Sequence, residues 1–285
     1  AVPVDREEGH MSVFGRLFRN PQAVVGFAMI VLLLLAAVLA PLLAPNAPYE
    51  QDLLHKYSEA SSQYPLGTDQ LGRCVLSRLI YGARYSLGIS LPVVALLGTI
   101  GIVAGCFSAC APRAVQMALR YVCDVFIAFP AVVLAAALTG VAGNGVATLL
   151  ASIVVSMWAW FVRMAAAYAR VEMGKGYALA SRIAGCGTSR LVFKHILPNI
   201  LPQYIVYLST GVASMIIMVS GFAFLGLGFT AGTPEWGAML NEARKSLYAH
   251  PELLVYPGVC IAVTAAAFNL FGEALRDVLE RGEAR

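Results

Sequence analysis

Residues 24–43 read VVGFAMIVLLLLAAVLAPLL, twenty consecutive positions without an Asp, Glu, Lys or Arg. A helix of about 20 apolar residues crosses the hydrocarbon core of a bilayer. A signal-peptide core is only about 7–15 residues long, so this run reads as a retained span. Five further apolar runs follow: 87–110, 114–138, 146–168, 201–227 and 253–271. None shows the alternation of a barrel strand. Backbone polar groups in lipid must pair within their own segment, so each run is expected to be a helix. The composition agrees. Hydrophobic residues make up 59% of the chain and charged residues 13%, against roughly 25% charged in soluble domains. The expected fold class is an all-α integral membrane protein with six transmembrane helices.

Orientation follows from the basic residues of the connections. With a cytoplasmic N-terminus, 14 Lys and Arg fall inside and 6 outside, and six spans return the C-terminus to the cytoplasm. The expected organisation is a cytoplasmic tail over 1–20, a first span over 21–44, an extracytoplasmic segment over 45–86, a core over 87–280 and a short tail over 281–285. Gly9-His10-Met11 reads as left over from cloning, so residues 1–10 are set aside and Met11 is taken as the native start. The net charge of +4 is too small to argue for nucleic acid.

Three connections are long. In 45–86, Leu71, Val75, Leu76, Leu79 and Ile80 recur at helical spacing, which predicts an amphipathic helix on the outer surface. Asp69 and Arg73, four apart, are placed to pair or to bond backbone. From 195 to 234 there are 40 residues without Asp, Glu, Lys or Arg. They exceed one span and fall short of two, and they end in glycines and a proline that break helices. One span and a partly re-entrant outer segment is the expected solution, with Glu235 and Trp236 at the outer interface. The cytoplasmic connection, 169–200, holds LASRIAGCGTSRLVFKHILPN (179–199). Tyr177, Ala180 and Ala184 lie near one face of a short helix and Arg182 on another. Gly185 and Gly187 end that helix, Thr188 or Ser189 can cap the next, and Pro198 is expected to break it before the fifth span. Such a helix–turn–helix has the shape of an element that docks in another protein's groove.

Catalytic and metal constellations do not emerge. The six cysteines have no C-x-x-C spacing and read as small buried apolar residues. His10, His55, His195 and His250 fit no ligand spacing, and there is no G-x-x-x-x-G-K-[ST] loop. The chain reads as no enzyme, with no metal site and no bound cofactor. Arg120 and Asp124 suggest an ion pair within one helix. Asn269, polar within the sixth span, reads as a helix–helix hydrogen bond or a pathway-lining group. Met215 and Met218 read as core or lipid contacts.

Residues 179–198 resemble the EAA loop of ABC-importer permeases, E-A-A-x3-G-x9-I-x-L-P. Ala180, Gly185, Leu197 and Pro198 match; Leu179, Ser181 and His195 stand for Glu, Ala and Ile. Further blocks resemble the C-type permeases of peptide and nickel importers. LGTDQLGRCVLSR (66–78) matches L-G-T-D-x-x-G-R-D-x-x-S-R apart from Cys74, where the branch has Asp. CDVFIAFP (123–130), FLGLGFTAGTPEWGAML (224–240) and AFNLFGEALRDVLE (267–280) look like the branch's third span and closing sequences. The resemblance implies a type I ABC-importer permease fold. Its implied partners are a second homologous permease, two ATPase subunits that bind ATP and Mg²⁺, and an extracytoplasmic solute-binding protein. It places ATPase coupling on Tyr177, Ala180, Ser181, Arg182, Gly185, Leu197 and Pro198. Docking or an outer gate falls to Asp69, Arg73, Glu235 and Trp236, and the pathway to Asn269. Peptides or nickel and metal chelates are the implied substrates. The alternatives are an ion-coupled secondary transporter, which would want buried carboxylates within spans, and a membrane enzyme.

Overall fold

The structure, a computed structural model, describes residues 13–283; the Gly9–Met11 reading and the extreme C-terminal residues lie outside the described residues. Helix α1 (Val13–Arg19) leads into α2 (Pro21–Val38). Asn20 caps α2, its side-chain oxygen accepting the Gln22 N–H, and Pro21 occupies the first turn, where its missing N–H costs nothing. The first apolar run breaks at Leu39, because Pro41 cannot continue the ladder to residue 37, and ends in the single turn α3 (Ala40–Leu43).

After an irregular segment comes α4 (Val75–Cys110), 36 residues long. This corrects the expected surface helix. Val75, Leu79, Ala83 and Leu87 are buried along one continuous helix, and the presumed amphipathic element is the first part of the second span. Its apolar stripe faces protein rather than the membrane surface. The third apolar run is also not one straight helix. It divides into α5 (Arg113–Ala128) and α6 (Ala131–Ala142), bent by 81°. Phe129, preceding Pro130, is held extended, as pre-proline residues prefer.

Helix α7 (Val146–Met173) packs most extensively against α4. Glycines permit the approach: a Cβ at Gly105 would lie 2.7 Å from the Ala165 Cβ, and one at Gly101 would lie 2.8 Å from the Phe161 carbonyl carbon. Gly101 and Gly105 form a small-xxx-small pair of the kind that lets membrane helices touch backbone to backbone. Helix α8 (Gly176–Ile183) and the single turn α9 (Thr188–Leu191) follow, then a π turn (Val192–Ile196) that merges into α10 (Leu197–Phe224). A short helix, α11 (Trp236–Ala243), and the long α12 (Glu252–Glu283) complete the chain. Five helical stretches are long and apolar enough to span, and α5 with α6 makes a sixth crossing if the bent pair is counted as one. Among the described residues there is no strand, only an isolated bridge between Thr68 and Cys74. Tyr204 of α10 joins three helices, donating to the Gly98 carbonyl of α4 at 3.1 Å and lying 3.4 Å from the Phe161 carbonyl of α7. Met215 is fully buried in the core and Met218 packs against it, as expected.

Candidate functional site: a docking ridge and an opposite charge cluster

At one end of the bundle, α8 projects from α7. Its C-terminus is a Schellman cap: the Cys186 N–H reaches the Ser181 carbonyl and the Gly185 N–H the Arg182 carbonyl, both at 3.0 Å. Gly185 has φ +80°, a left-handed conformation that disfavours any Cβ. Gly187, by contrast, is extended and itself occupies the N-cap of α9; neither Thr188 nor Ser189 caps it, contrary to the sequence expectation. Pro198 does not break the chain either. The π turn makes the Leu197 N–H bond to the Val192 carbonyl five residues back, so Pro198 falls in the first turn of α10. There its missing N–H is harmless.

The face of α8 turned to the bundle is carried by Ala178, fully buried, rather than by Tyr177, Ala180 and Ala184. Outward stand Ala180, Arg182, Gly185 and Pro198, with Ser181 and Leu197 half-buried. Beside them lie Leu179, Ile183 and Phe193, exposed by 54%, 80% and 56%. Leu179 and Ile183, four apart on α8, form an apolar ridge that sequence matching passed over, because the family pattern directs attention to its small residues; Phe193 stands edge-on to Phe107 of α4.

Tyr177 anchors the ridge. Its hydroxyl donates to the buried Glu172 carboxylate of α7 at 2.6 Å and accepts from the Asn199 amide of α10 at 3.0 Å. Asn199 also donates to the His195 carbonyl at 2.6 Å, and Lys175 neutralises Glu172 at 2.8 Å. Burial, reinforced by the Glu172 hydrogen bond, pushes the Tyr177 hydroxyl up to about 12, so it stays a donor. Glu172 and Asn199 were not singled out in the sequence. Their partner lies 5 and 22 residues away, and only the turn between α7 and α10 brings them together.

At the other end, Asp69, Arg73, Arg78 and Glu242 form a charge-balanced cluster. Asp69 accepts the backbone N–H groups of Leu71 and Arg73, the Arg73 Nε at 2.7 Å and the Arg78 Nη1 at 2.6 Å. Glu242 accepts from both arginines and from the Gly232 N–H at 2.7 Å. Burial alone would raise the Glu242 carboxyl; Arg78 and Arg73 outweigh it and hold it below the usual range. The expected Asp69–Arg73 contact is therefore present, to side chain and backbone alike. Arg78 and Glu242 were missed as its other half, since 164 residues separate them.

Glu235 and Trp236 are sealed rather than interfacial, with exposures of 0% and 1%. Glu235 caps α11 through the Ala238 N–H at 2.9 Å and accepts the hydroxyls of Ser86 (α4) and Ser220 (α10) at 3.0 and 2.9 Å. Burial pushes its carboxyl up against these hydrogen bonds. The Trp236 Nε1 donates to the Leu79 carbonyl at 3.0 Å, and Gly82 leaves the space that its ring fills, since a Cβ there would lie 2.3 Å from Nε1. Segment 225–243 thus folds back onto α4 and α10, as the long uncharged stretch suggested. All four residues expected to dock a partner are buried, so none presents a side chain to an outside surface.

Asn269 is exposed on α12 and bonds no other helix among the described residues, which corrects the helix–helix hydrogen bond, the first of its two expected roles. Asp124 pairs across helices with Arg163 at 2.9 Å; Arg120, its expected partner, is 3.9 Å away.

A bundle of five long apolar helices and one bent pair, with a projecting helix at one end and a folded-back segment at the other, defines a class, the multi-pass α-helical membrane protein. The comparisons narrow it. Residues 100–285 match the family described as binding-protein-dependent transport system inner membrane component, and residues 12–61 match the N-terminal TM domain of oligopeptide transport permease C. The chain belongs to this family of ABC-importer permeases. It is 35% identical over 258 residues to the nickel transport system permease protein NikC of Escherichia coli, covering 90% of this chain and 93% of that one. It is 35% identical over 270 residues to the metal-staphylopine import system permease protein CntC of Staphylococcus aureus, covering 95% and 93%. It is 37% identical over 268 residues to the di/tripeptide transport system permease protein DppC of Pseudomonas aeruginosa, covering 92% and 88%. The chain is therefore a multi-pass inner-membrane transport component rather than an enzyme. It works within an ABC import system whose ATPase, companion permease and binding protein are separate subunits.

Proposed function

We propose that this chain is one half of a heterodimeric pathway for peptides or metal chelates, nickel complexes included, and that α8 is the lever through which two ATPases drive it. The observation that carries this reading is the ridge of Leu179 and Ile183, apolar and exposed on a short helix outside the spans. Such a ridge fills an apolar groove, as amphipathic helices do when they dock. Tyr177, Ala180, Ser181, Arg182, Gly185, Leu197 and Pro198 flank or brace it. ATP and Mg²⁺ belong to the ATPases. Closure of those subunits on the ridge moves α8, and the Glu172–Tyr177–Asn199 bonds hand that motion to α7 and α10 together. Nucleotide thereby biases a two-state equilibrium between inward- and outward-facing bundles.

The basic end of the bundle is cytoplasmic in this reading, on the Lys and Arg asymmetry. The opposite end faces the solute-binding protein. There the buried cluster of Asp69 and Arg73, with Glu235 and Trp236, shapes the outer gate from within. Asn269 faces outward from α12, where a polar amide in a span is met by protein or a wet pathway rather than by lipid. The peptide and metal-chelate assignment rests on the relatives' substrates.

The test is transport by the complete complex in proteoliposomes. Charge reversal at Arg182 (Arg182→Glu) and a bulky residue at Gly185 (Gly185→Trp) are each expected to lower uptake at least tenfold while ATP hydrolysis continues. Unchanged uptake in both variants would overturn the coupling role.

A further inference from the structure

Between α4, α5 and α7, on the same end of the bundle as α8, lies a cavity of about 390 Å³ that the transport reading does not use. Four arginines line it, Arg113 and Arg120 from α5 and Arg163 and Arg170 from α7, against a single carboxylate, Asp124. Asp124 is engaged by Arg163 at 2.9 Å. Arg120 lies 3.9 Å from the same carboxylate, and Arg113 and Arg170 pair with no carboxylate among the described residues. Each helix thus contributes two arginines seven residues apart, on one face and two turns or about 10 Å along the axis. The surplus positive charge is concentrated in a concave site with Met117, Leu119 and Val162 among its walls.

We infer that this cavity binds a phosphate oxyanion, and that its source is the headgroup of an anionic phospholipid. Guanidinium groups match phosphate oxygens in geometry and charge. Basic pockets between membrane helices at the cytoplasmic face hold anionic headgroups. A free phosphate ion satisfies the arginines but gains nothing from the apolar wall, whereas a lipid extends its acyl chains over Met117 and along α5. The placement at the inner leaflet rests on the orientation proposed above, which reporter fusions to the two ends of the chain check separately from lipid binding.

Native mass spectrometry of the purified importer complex, titrated with phosphatidylglycerol or phosphatidylcholine, tests the site. Wild type is expected to retain phosphatidylglycerol in preference to phosphatidylcholine. Arg113→Gln, Arg120→Gln and Arg170→Gln should each weaken retention about fivefold, and the triple variant on the order of a hundredfold. Met117→Glu changes one exposed rim side chain and adds an opposing charge without touching the core. It should weaken retention about fivefold, and it serves if the triple variant fails to assemble. Millimolar inorganic phosphate distinguishes the sources: phosphatidylglycerol retained in its presence upholds the lipid, and phosphate adducts on lipid-free complex that phosphatidylglycerol does not displace overturn the lipid as the source. Equal retention of both lipids by wild type, or undiminished phosphatidylglycerol retention by the triple variant and Met117→Glu, would overturn the proposal.

Discussion

Two glutamates at opposite ends of α11, the buried N-cap Glu235 and the half-buried Glu242 in the last turn, illustrate how environment decides what a residue contributes. Glu242 faces two buried arginines, and removing it leaves both guanidinium groups sharing the single carboxylate of Asp69, a net positive charge in a buried cluster. Glu242→Gln is therefore expected to lower the melting temperature of the detergent-solubilised protein clearly. Glu235 faces only hydroxyls and an N–H, so its charge is uncompensated. Glu235→Gln keeps the hydrogen-bonding shape and removes the burial cost, so its melting temperature should match or exceed wild type. The pH trends differ in sign. A raised carboxyl pKa is linked to stability that is present below the unfolded value, about 4.3, and lost as pH rises through the folded value. Wild type should thus fall further behind Glu235→Gln as pH rises. Glu242, held low, contributes stability present above about 4.3 and lost as pH falls through its lower folded value. Melting curves across pH check both. At this scale the sequence marked Glu235 and Asp69 as special. It placed Glu235 at an interface because a residue string carries no information on which side of a re-entrant turn is covered.

Among the elements, the spans were readable from apolar length alone, while their breaks were not. The bend at Phe129–Pro130 and the π turn at Val192–Ile196 both involve prolines. One proline bends the third crossing by 81° and the other is absorbed without a break. Local propensity is the same in both cases; the neighbours that hold the backbone differ. The surface helix expected over 71–80 failed for a related reason. An amphipathic stripe looks alike whether it faces lipid headgroups or a re-entrant segment, and here Trp236 fills that side. The α4–α7 contact was legible as Gly101-x-x-x-Gly105 but was not singled out. A Gly105→Val substitution puts carbon 2.7 Å from Ala165 and the Ala166 backbone. Overpacking of this kind costs about 1–3 kcal/mol. The variant is expected to lose several degrees of melting temperature, with Gly88→Val, where nothing lies within 4 Å, as the neutral control.

For the whole molecule, the two ends of the bundle are built to opposite designs. One projects a short helix with an apolar ridge and gathers a surplus of arginines; the other folds a segment back onto the spans, tucking Asp69, Arg73 and Glu235 inside and sealing Trp236, while Arg84, Arg244 and Lys245 stay exposed. That asymmetry suits a lever at one face and a gate at the other. Co-purification from the native membrane is expected to recover this chain with a second permease and ATPase subunits. Leu179→Asp with Ile183→Asp should release the ATPases and leave the permease pair intact; recovery of the full complex from that double variant would argue against the ridge. By itself the sequence determined the fold class, the number of crossings, the re-entrant segment and the family. Those follow from the cost of putting charge or unpaired backbone in lipid, which acts on each stretch of chain wherever it ends up. Only the tertiary structure decided which polar groups meet: Glu172 with Tyr177 and Asn199, Arg78 with Glu242, and four arginines around one cavity. Such pairings depend on distances between separate helices, and helix packing sets those distances.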